Sequence, residues 1–262
     1  MRDTKAVFFD IDGTIWDAKN NIPKSTIKAI EELRQNGHLA FLNSGRTRAF
    51  IRHPNLLNLG FDGIVSGCGT MVEYHGRTVF YHRIETDLVE KTLEIIRSFG
   101  FRPILEGRKH LYMNEEDFDY EPYGKKVRQD MGDDLRTIKD CWGQWEISKL
   151  SCATTDCDIE GCYEKLKDDY DFMIHNRDVV EIIPKGFHKG TGILEVCRIL
   201  HLPVENTVAI GDSVNDTEML TTAGFSVAMG NGTDGIKQIA DYVTAPMNED
   251  GIYQALAHLD LI

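Results

Sequence analysis

Residues 6–9 run Ala-Val-Phe-Phe without a polar break, and an uninterrupted apolar run of this length predicts a strand buried on both faces. Apolar positions then recur at helical spacing, at Ile27, Ile30 and Leu33, in a segment opened by Pro23-Lys24-Ser25 and closed by Asn36-Gly37. Residues 38–42 predict the next buried strand, 47–59 a helix and 62–66 a third strand. This alternation predicts an α/β fold, a right-handed, doubly wound, Rossmann-like parallel sheet.

After Gly69 the pattern changes. Residues 71–74 and 78–81 flank His75-Gly76-Arg77 and predict a hairpin. A helix over 87–99, short strands near Pro103 and Leu111, a polar stretch rich in Asp, Glu and Tyr, a strand over 145–152, a helix over 158–167 and strands around Phe172 and Val180 follow. That block reads as antiparallel strands with helices on one face. From Gly190 the first pattern resumes: a helix over 191–200, a strand over 207–210, a helix over 214–223, a strand over 226–229 and two terminal helical stretches. The expected organisation is a core of residues 1–81 and 185–262 interrupted by an inserted α+β domain over 82–184, with no internal repeat or low-complexity tract.

Composition narrows the function classes. Of the 262 residues 42% are hydrophobic and 27% charged, ordinary values for a globular enzyme. A formal net charge of −13 argues against nucleic acid as a partner, because affinity for a phosphate backbone comes largely from Lys and Arg. A small anionic substrate remains compatible, since a local cluster of cations outweighs the mean field. No stretch approaches the roughly 20 apolar residues that span a bilayer. The first residues lead into an apolar strand without the regions of a signal peptide, so the expected compartment is the cytoplasm and no membrane partner is expected. The six cysteines contain no CxxC pair; Cys152, Cys157 and Cys162 recur every five residues, but reduced thiols filling semi-apolar space are the favoured reading.

Four segments carry candidate chemistry, each just after a predicted core strand or opening a core helix, where open parallel sheets bind ligands. Asp10-Ile11-Asp12-Gly13-Thr14 places two carboxylates beside a turn-permitting glycine, which suits metal binding and covalent catalysis, although such a pair alone is also what a solvated turn looks like. Asn43-Ser44-Gly45-Arg46 offers a hydroxyl and backbone N–H groups to phosphoryl oxygens at an expected helix start; by itself it also reads as an N-cap. Lys189 opens a core helix, where a cation opposes the helix dipole and needs an anionic partner. Gly211-Asp212-Ser213-Val214-Asn215-Asp216 ends a buried strand with oxygen donors suited to Mg²⁺ and is the most specific of the four.

In this order the segments resemble the four motifs of the haloacid-dehalogenase superfamily, and more closely its Cof-type, subclass IIB-like branch of small-phosphate-ester phosphatases. Val180-Glu181-Ile182-Ile183-Pro184, Gly186 to Gly190, Val227 to Gly232, Ala240 to Thr244 and Asn248 to Gly251 extend the likeness. The resemblance implies an HAD-like core with an α/β cap closing over the site, and a Mg²⁺-dependent phosphatase acting on sugar phosphates or similar metabolites. It assigns Asp10 as nucleophile, Asp12 as general acid and base, and Ser44, Gly45, Arg46 and Lys189 to the phosphate. It gives Asp10, the Asp12 backbone carbonyl and Asp212 to the metal, with Asn215 and Asp216 orienting the metal's waters and Lys189. Relatives often carry Asn-Gly where this chain has Gly67-Cys68-Gly69-Thr70, which puts a substrate contact in doubt and assigns Cys68 no catalytic role. In the inserted block Lys149 and Arg177 are the chief candidates for substrate contact, beside Arg108, Lys109, His110 and Trp142.

Two other readings share these parts. A phosphotransferase or phosphomutase differs only in whether water or a hydroxyl accepts the phosphoryl group. A two-component receiver module also combines a phosphorylatable Asp with Ser/Thr and Lys, but needs neither the insertion nor the 211–216 loop. An ATPase is disfavoured because those relatives replace the second Asp of the first motif with Thr, whereas here it is Asp12. The physiological ester and the oligomeric state are not readable from the residues.

Overall fold

A computed structural model describes residues 4–118, 122–176 and 178–262. The chain divides into two compact units: Met1–Gly45, Arg52–Phe80 and His188–Ile262 form the first, and Arg46–Ile51 with Tyr81–Phe187 the second. In chain order the first unit opens with β1 (Ala6–Phe9), α1 (Lys24–Gln35), β2 (Leu39–Asn43), α2 (Pro54–Leu57), β3 (Gly63–Ser66), β4 (Met71–Tyr74) and β5 (Arg77–Tyr81), the last reaching the junction. The second unit contributes α3 (Thr86–Ser98), β6 (Arg102–Gly107), β7 (Leu111–Tyr112), α4 (Pro122–Met131), β8 (Leu135–Arg136), β9 (Ile147–Ala153), α5 (Ile159–Leu166), β10 (Tyr170–Asn176) and β11 (Val179–Pro184). The chain returns through α6 (Lys189–Leu200), β12 (Thr207–Gly211), α7 (Thr217–Thr222), β13 (Phe225–Ala228), α8 (Asp234–Ile239), β14 (Tyr242–Val243) and α9 (Gly251–His258).

The first unit is built on an eight-stranded sheet ordered β14-β13-β12-β1-β2-β3-β4-β5. From β14 to β3 every neighbouring pair is parallel, and β4 reverses against β3. Ala6, Val7, Phe8 and Phe9 are wholly buried, as their unbroken apolar run requires of a central parallel strand. Phe8 stacks on Phe41 of β2 with ring centroids 5.1 Å apart, inside a core that also holds Val65, Ile193, Ala209 and Ala228. With β1 central, the chain order reverses there, and the loops after β1, β2 and β12 leave from the carboxyl ends of adjacent strands.

The second unit carries a six-stranded sheet ordered β10-β11-β9-β6-β7-β8, antiparallel except for the β7–β8 pair. One core packs α3 and α5 through Leu93, Ile96, Cys162 and Leu166 onto Leu105, Leu150 and Ile182. A second gathers Ala49, Ile104, Leu111, Met113, Phe118, Val127 and Met131. All six cysteines are free thiols, and burial pushes those of Cys152 and Cys162 upward, Cys162 to about 12.

Three local expectations are corrected. The helix expected over 47–59 shrinks to α2, because Pro54 forces the preceding His53 into extended backbone (φ −64°, ψ 125°) and is itself accommodated at the first helical turn. The polar stretch after Leu111 contains α4, whose apolar face is Val127 and Met131. The helix expected over 214–223 begins as a 3₁₀ turn, Val214–Asp216, before α7. No described helix is long and apolar enough to cross a membrane.

Candidate active site

Asp10 continues β1 by donating its backbone N–H to the Ile210 carbonyl at 3.0 Å, and its side chain is buried at the carboxyl end of the sheet. On the adjacent strand β12 ends at Gly211 and hands the chain to Asp212. Lys189 arrives from the amino end of α6, where His188 caps the helix: its ring accepts the Thr191 N–H at 3.3 Å, and the Thr191 hydroxyl accepts the His188 N–H at 3.1 Å. Asn43, at the end of β2, donates its side-chain amide to the Lys189 carbonyl at 3.0 Å and ties the two elements together.

The Lys189 ammonium, 1% exposed, donates to Asp10 Oδ1 at 2.5 Å and to Asp216 Oδ1 at 2.6 Å. Carboxylate oxygens of Asp10, Asp212 and Asp216 all lie within 4.8 Å of one another. One cation therefore faces three carboxylates. Burial, then the charge of Asp216, push the Asp10 carboxyl above its ordinary range although Lys189 opposes them. Burial and Asp216 push Asp212 up to about 6. Burial alone would lower the Lys189 ammonium, but Asp10 and Asp216 outweigh it and keep it protonated.

The three carboxylates are not equivalent. Asp216 Oδ2 accepts the backbone N–H groups of Asp212 at 3.0 Å and Ser213 at 3.1 Å, while its other oxygen takes Lys189. Both Asp216 oxygens are thus committed inside the protein. Asp10 and Asp212 are therefore less committed than Asp216 and freer to turn an oxygen toward a metal ion. Two carboxylates beside a single shared ammonium keep an excess of negative charge, and hard oxygen donors suit a hard divalent cation.

The loop between β1 and α1 is fitted closely to this cluster. Gly13 has φ +83°, and a Cβ built there falls 2.3 Å from Asp212 Oδ2. The Gly13→Ala variant is expected to unfold about 2–8 °C lower, from roughly 1–2 kcal/mol of left-handed backbone strain alone. An unchanged calorimetric midpoint would refute this account of Gly13. Asn231 fastens the same loop, its amide donating to the Gly13 carbonyl at 2.8 Å while its carbonyl accepts the Met247 N–H at 2.8 Å. The Trp16 indole donates to Asp12 Oδ1 at 2.9 Å. Neither Asn231 nor Trp16 was assigned a role from the sequence. A Trp close behind the acidic pair was the available signal, since a buried indole N–H needs an acceptor.

Ser44 is buried after β2, its N–H donating to the Val65 carbonyl at 3.0 Å and its carbonyl accepting the Cys68 N–H at 3.1 Å. No helix starts here, so the expected cradle at a helix amino end is corrected: residues 47–50 form turns and the nearest helix is α2. Cys68 is buried with φ +56°, between Gly67 and Gly69, which are also left-handed. Asn215 accepts the Ser213 hydroxyl at 2.7 Å.

Arg46 lies in the second unit, lining a cleft of about 170 Å³ with Phe50, Glu106, Tyr123, Lys126 and Lys149. The Lys149 ammonium is buried between Glu181 at 2.9 Å and Glu106 at 3.5 Å, and Glu106 also accepts the Thr47 hydroxyl at 3.0 Å. Arg108 pairs with Glu146 at 2.9 Å, His110 meets the Asp134 carbonyl, and Trp142 packs edge-on against Trp145; Lys109 is exposed. Arg177 lies outside the described residues.

Comparison with known proteins agrees with this constellation. The haloacid dehalogenase-like hydrolase family matches residues 7–256. YkrA of Bacillus subtilis (strain 168) is 32% identical over 281 residues, covering 99% of each chain. The same organism's 5-amino-6-(5-phospho-D-ribitylamino)uracil phosphatase YitU is 28% identical, covering 95% of each. Among solved structures the HAD subclass IIB sugar phosphatase BT4131 superposes with a TM-score of 0.81 at 28% identity, over 99% of this chain and 100% of that one. With an acidic cluster and one buried lysine at the carboxyl edge of its sheet, the chain belongs to the haloacid dehalogenase-like hydrolases, in their Cof-type branch, and is a phosphoric monoester hydrolase.

Proposed function

We propose that the protein is a Mg²⁺-dependent phosphatase of small phosphate monoesters, sugar phosphates or similar metabolites, working through a phosphoryl group carried on Asp10. The observation that carries this reading is the Lys189 ammonium shared between Asp10 and Asp216 with Asp212 alongside. Asp10, held by Lys189, attacks phosphorus and displaces the leaving oxygen, so that one difficult displacement becomes two easier ones. Asp12 supplies the proton to that oxygen and later takes one from the water that releases phosphate. Lys189 and Ser44 hold the transferring oxygens, with Gly45 and Arg46 from the same segment. Asp10, the Asp12 backbone carbonyl and Asp212 hold the metal, which when bound neutralises charge between phosphate and carboxylate. Asp216 and Asn215 keep Lys189 and the 211–216 loop in place. Lys149 is the proposed substrate contact of the second unit.

The test is phosphate release from sugar phosphates, nucleotides and pyridoxal phosphate with and without Mg²⁺. Turnover of at least one ester, lost on chelation, is expected; no turnover of any sinks the proposal. Quantitative transfer of a trapped phosphoryl label to a second hydroxyl would favour a phosphotransferase instead, and transfer to a partner protein a receiver.

Metal affinity should follow the protonation of Asp212. Its folded value, about 6, stands above its ordinary 3.8. The metal-free fold therefore holds that proton more tightly than the unfolded chain does. Its contribution to stability is complete below about pH 4 and is lost as pH rises through about 6. Mg²⁺ at a hundred times its dissociation constant adds about 2.7 kcal/mol, or roughly 5–10 °C in Tm at pH 7.5. At pH 5, where the proton competes about tenfold, the gain should shrink to roughly half, about 1.4 kcal/mol or 3–6 °C. Equal shifts at both pH values would count against Asp212 as a ligand.

A further inference from the structure

We propose that Trp16 is a positioning residue for Asp12, its indole N–H fixing which carboxylate oxygen delivers the proton to the leaving group. The inference rests on the reading of Asp12 as the general acid.

Asp12 is exposed on a loop, where a carboxylate ordinarily samples several rotamers, yet its Oδ1 accepts the Trp16 N–H at 2.9 Å. The donor itself is fixed. Trp16 is 3% exposed, and its ring meets the His53 imidazole edge-on, with centroids 5.4 Å apart and planes at 87°. His53 is held in turn as the cap of α2, its ring accepting the Asn55 N–H at 3.3 Å. The backbone closes on itself as well: Gly13 donates to the Trp16 carbonyl at 2.9 Å, and Ile15 and Trp16 donate to the Ile11 carbonyl at 3.0 and 3.2 Å.

An indole nitrogen donates and cannot accept. Oδ1 must therefore be an acceptor whether Asp12 is ionised or neutral, and the proton of the neutral acid sits on Oδ2. In the first half-reaction the Asp10 oxygen–phosphorus bond forms, the bond from phosphorus to the leaving oxygen breaks, and the Oδ2 proton passes to that oxygen. In the second, water attacks phosphorus, gives its proton back to Oδ2, and the Asp10–phosphorus bond breaks. A carboxylate turned to present the wrong oxygen impairs both transfers without loosening the hold on phosphate.

The test separates positioning from packing by the leaving group, since an alkoxide needs a proton far more than p-nitrophenolate does. For Trp16→Phe, kcat/KM with glycerol phosphate should fall about 10-fold, a part of the roughly 10²–10⁴-fold that general acid–base catalysis contributes. With p-nitrophenyl phosphate it should stay within about twofold, and KM for glycerol phosphate should hold. Should Trp16→Phe fold poorly, replacing Trp16 by its benzothiophene analogue swaps the N–H for sulfur at nearly constant shape and should give the same split. Equal losses with both esters, or none with either, overturn the proposal while leaving the phosphatase reading intact. If the unaltered enzyme hydrolyses neither ester with Mg²⁺ and no other ester in the screen, it is the phosphatase reading that fails.

Discussion

Replacing Asp10 with asparagine is expected to lower Mg²⁺-dependent phosphate release by at least about 10⁴-fold, because an amide has neither the charge nor the nucleophilicity to attack phosphorus. The fold should tolerate the change. Burial and the Asp216 charge already disfavour the ionised form of Asp10, so an isosteric neutral group removes a source of repulsion, while its amide oxygen still accepts from Lys189 without the charge. The unfolding midpoint is therefore expected to hold or rise while activity disappears. Acid quenching during turnover should leave an alkali-labile phosphoryl group on the peptide containing Asp10, and none on the variant. Retention of more than a tenth of the Mg²⁺-dependent rate would remove Asp10 from the mechanism.

Substituting Lys189 by methionine should have the largest effect on stability. The methionine keeps the apolar stem but removes the ammonium that Asp10 and Asp216 share inside the protein. Stripping one partner from a buried ion pair costs about 3–5 kcal/mol, or roughly 6–20 °C in a domain of this size. The loss has a pH signature. Without the ammonium the Asp10 carboxyl is pushed further above its ordinary value, so the variant recovers stability relative to the parent as pH falls and that group takes up a proton. Chemical denaturation at pH 8 and pH 5 measures this, and a deficit that stays constant or grows toward pH 5 would contradict the account. Phosphatase activity should fall with the charge, since Lys189 is the cation that contacts Asp10.

The positions of Asp10, Ser44, Lys189 and Asp212 were legible because each ends or begins an element whose apolar pattern is strong and local. The different expectations for Asp212 and Asp216 came from the resemblance rather than from spacing, because Asp216 turning one oxygen back to two backbone N–H groups of its own loop is a hydrogen-bonding choice that spacing does not encode. The Trp16–Asp12 contact lies within a loop and has no periodicity to mark it in the sequence. The apolar residues after Ser44 run past Pro54, but the restriction Pro54 places on His53 outweighs them and shortens the helix. In the second unit, Lys149 stood out on its strand, but its partners Glu106 and Glu181 come from the two flanking strands β6 and β11 and are brought to it only by the antiparallel register.

The six-residue excursion from Arg46 to Ile51 bears on how this architecture can be rearranged. Thr47 hydrogen-bonds Glu106, Ala49 packs among Ile104, Val127 and Met131, and Ile51 is buried. A chimera made by exchanging only the long insertion would part these side chains from the strands and helix they pack against, and would take the Thr47 hydroxyl away from Glu106. The insertion is therefore not a cassette with two seams. A transplant that respects its packing has to carry a third, short piece of sequence that begins two residues after Ser44, so modularity in this lineage is bounded by a segment outside the insertion itself.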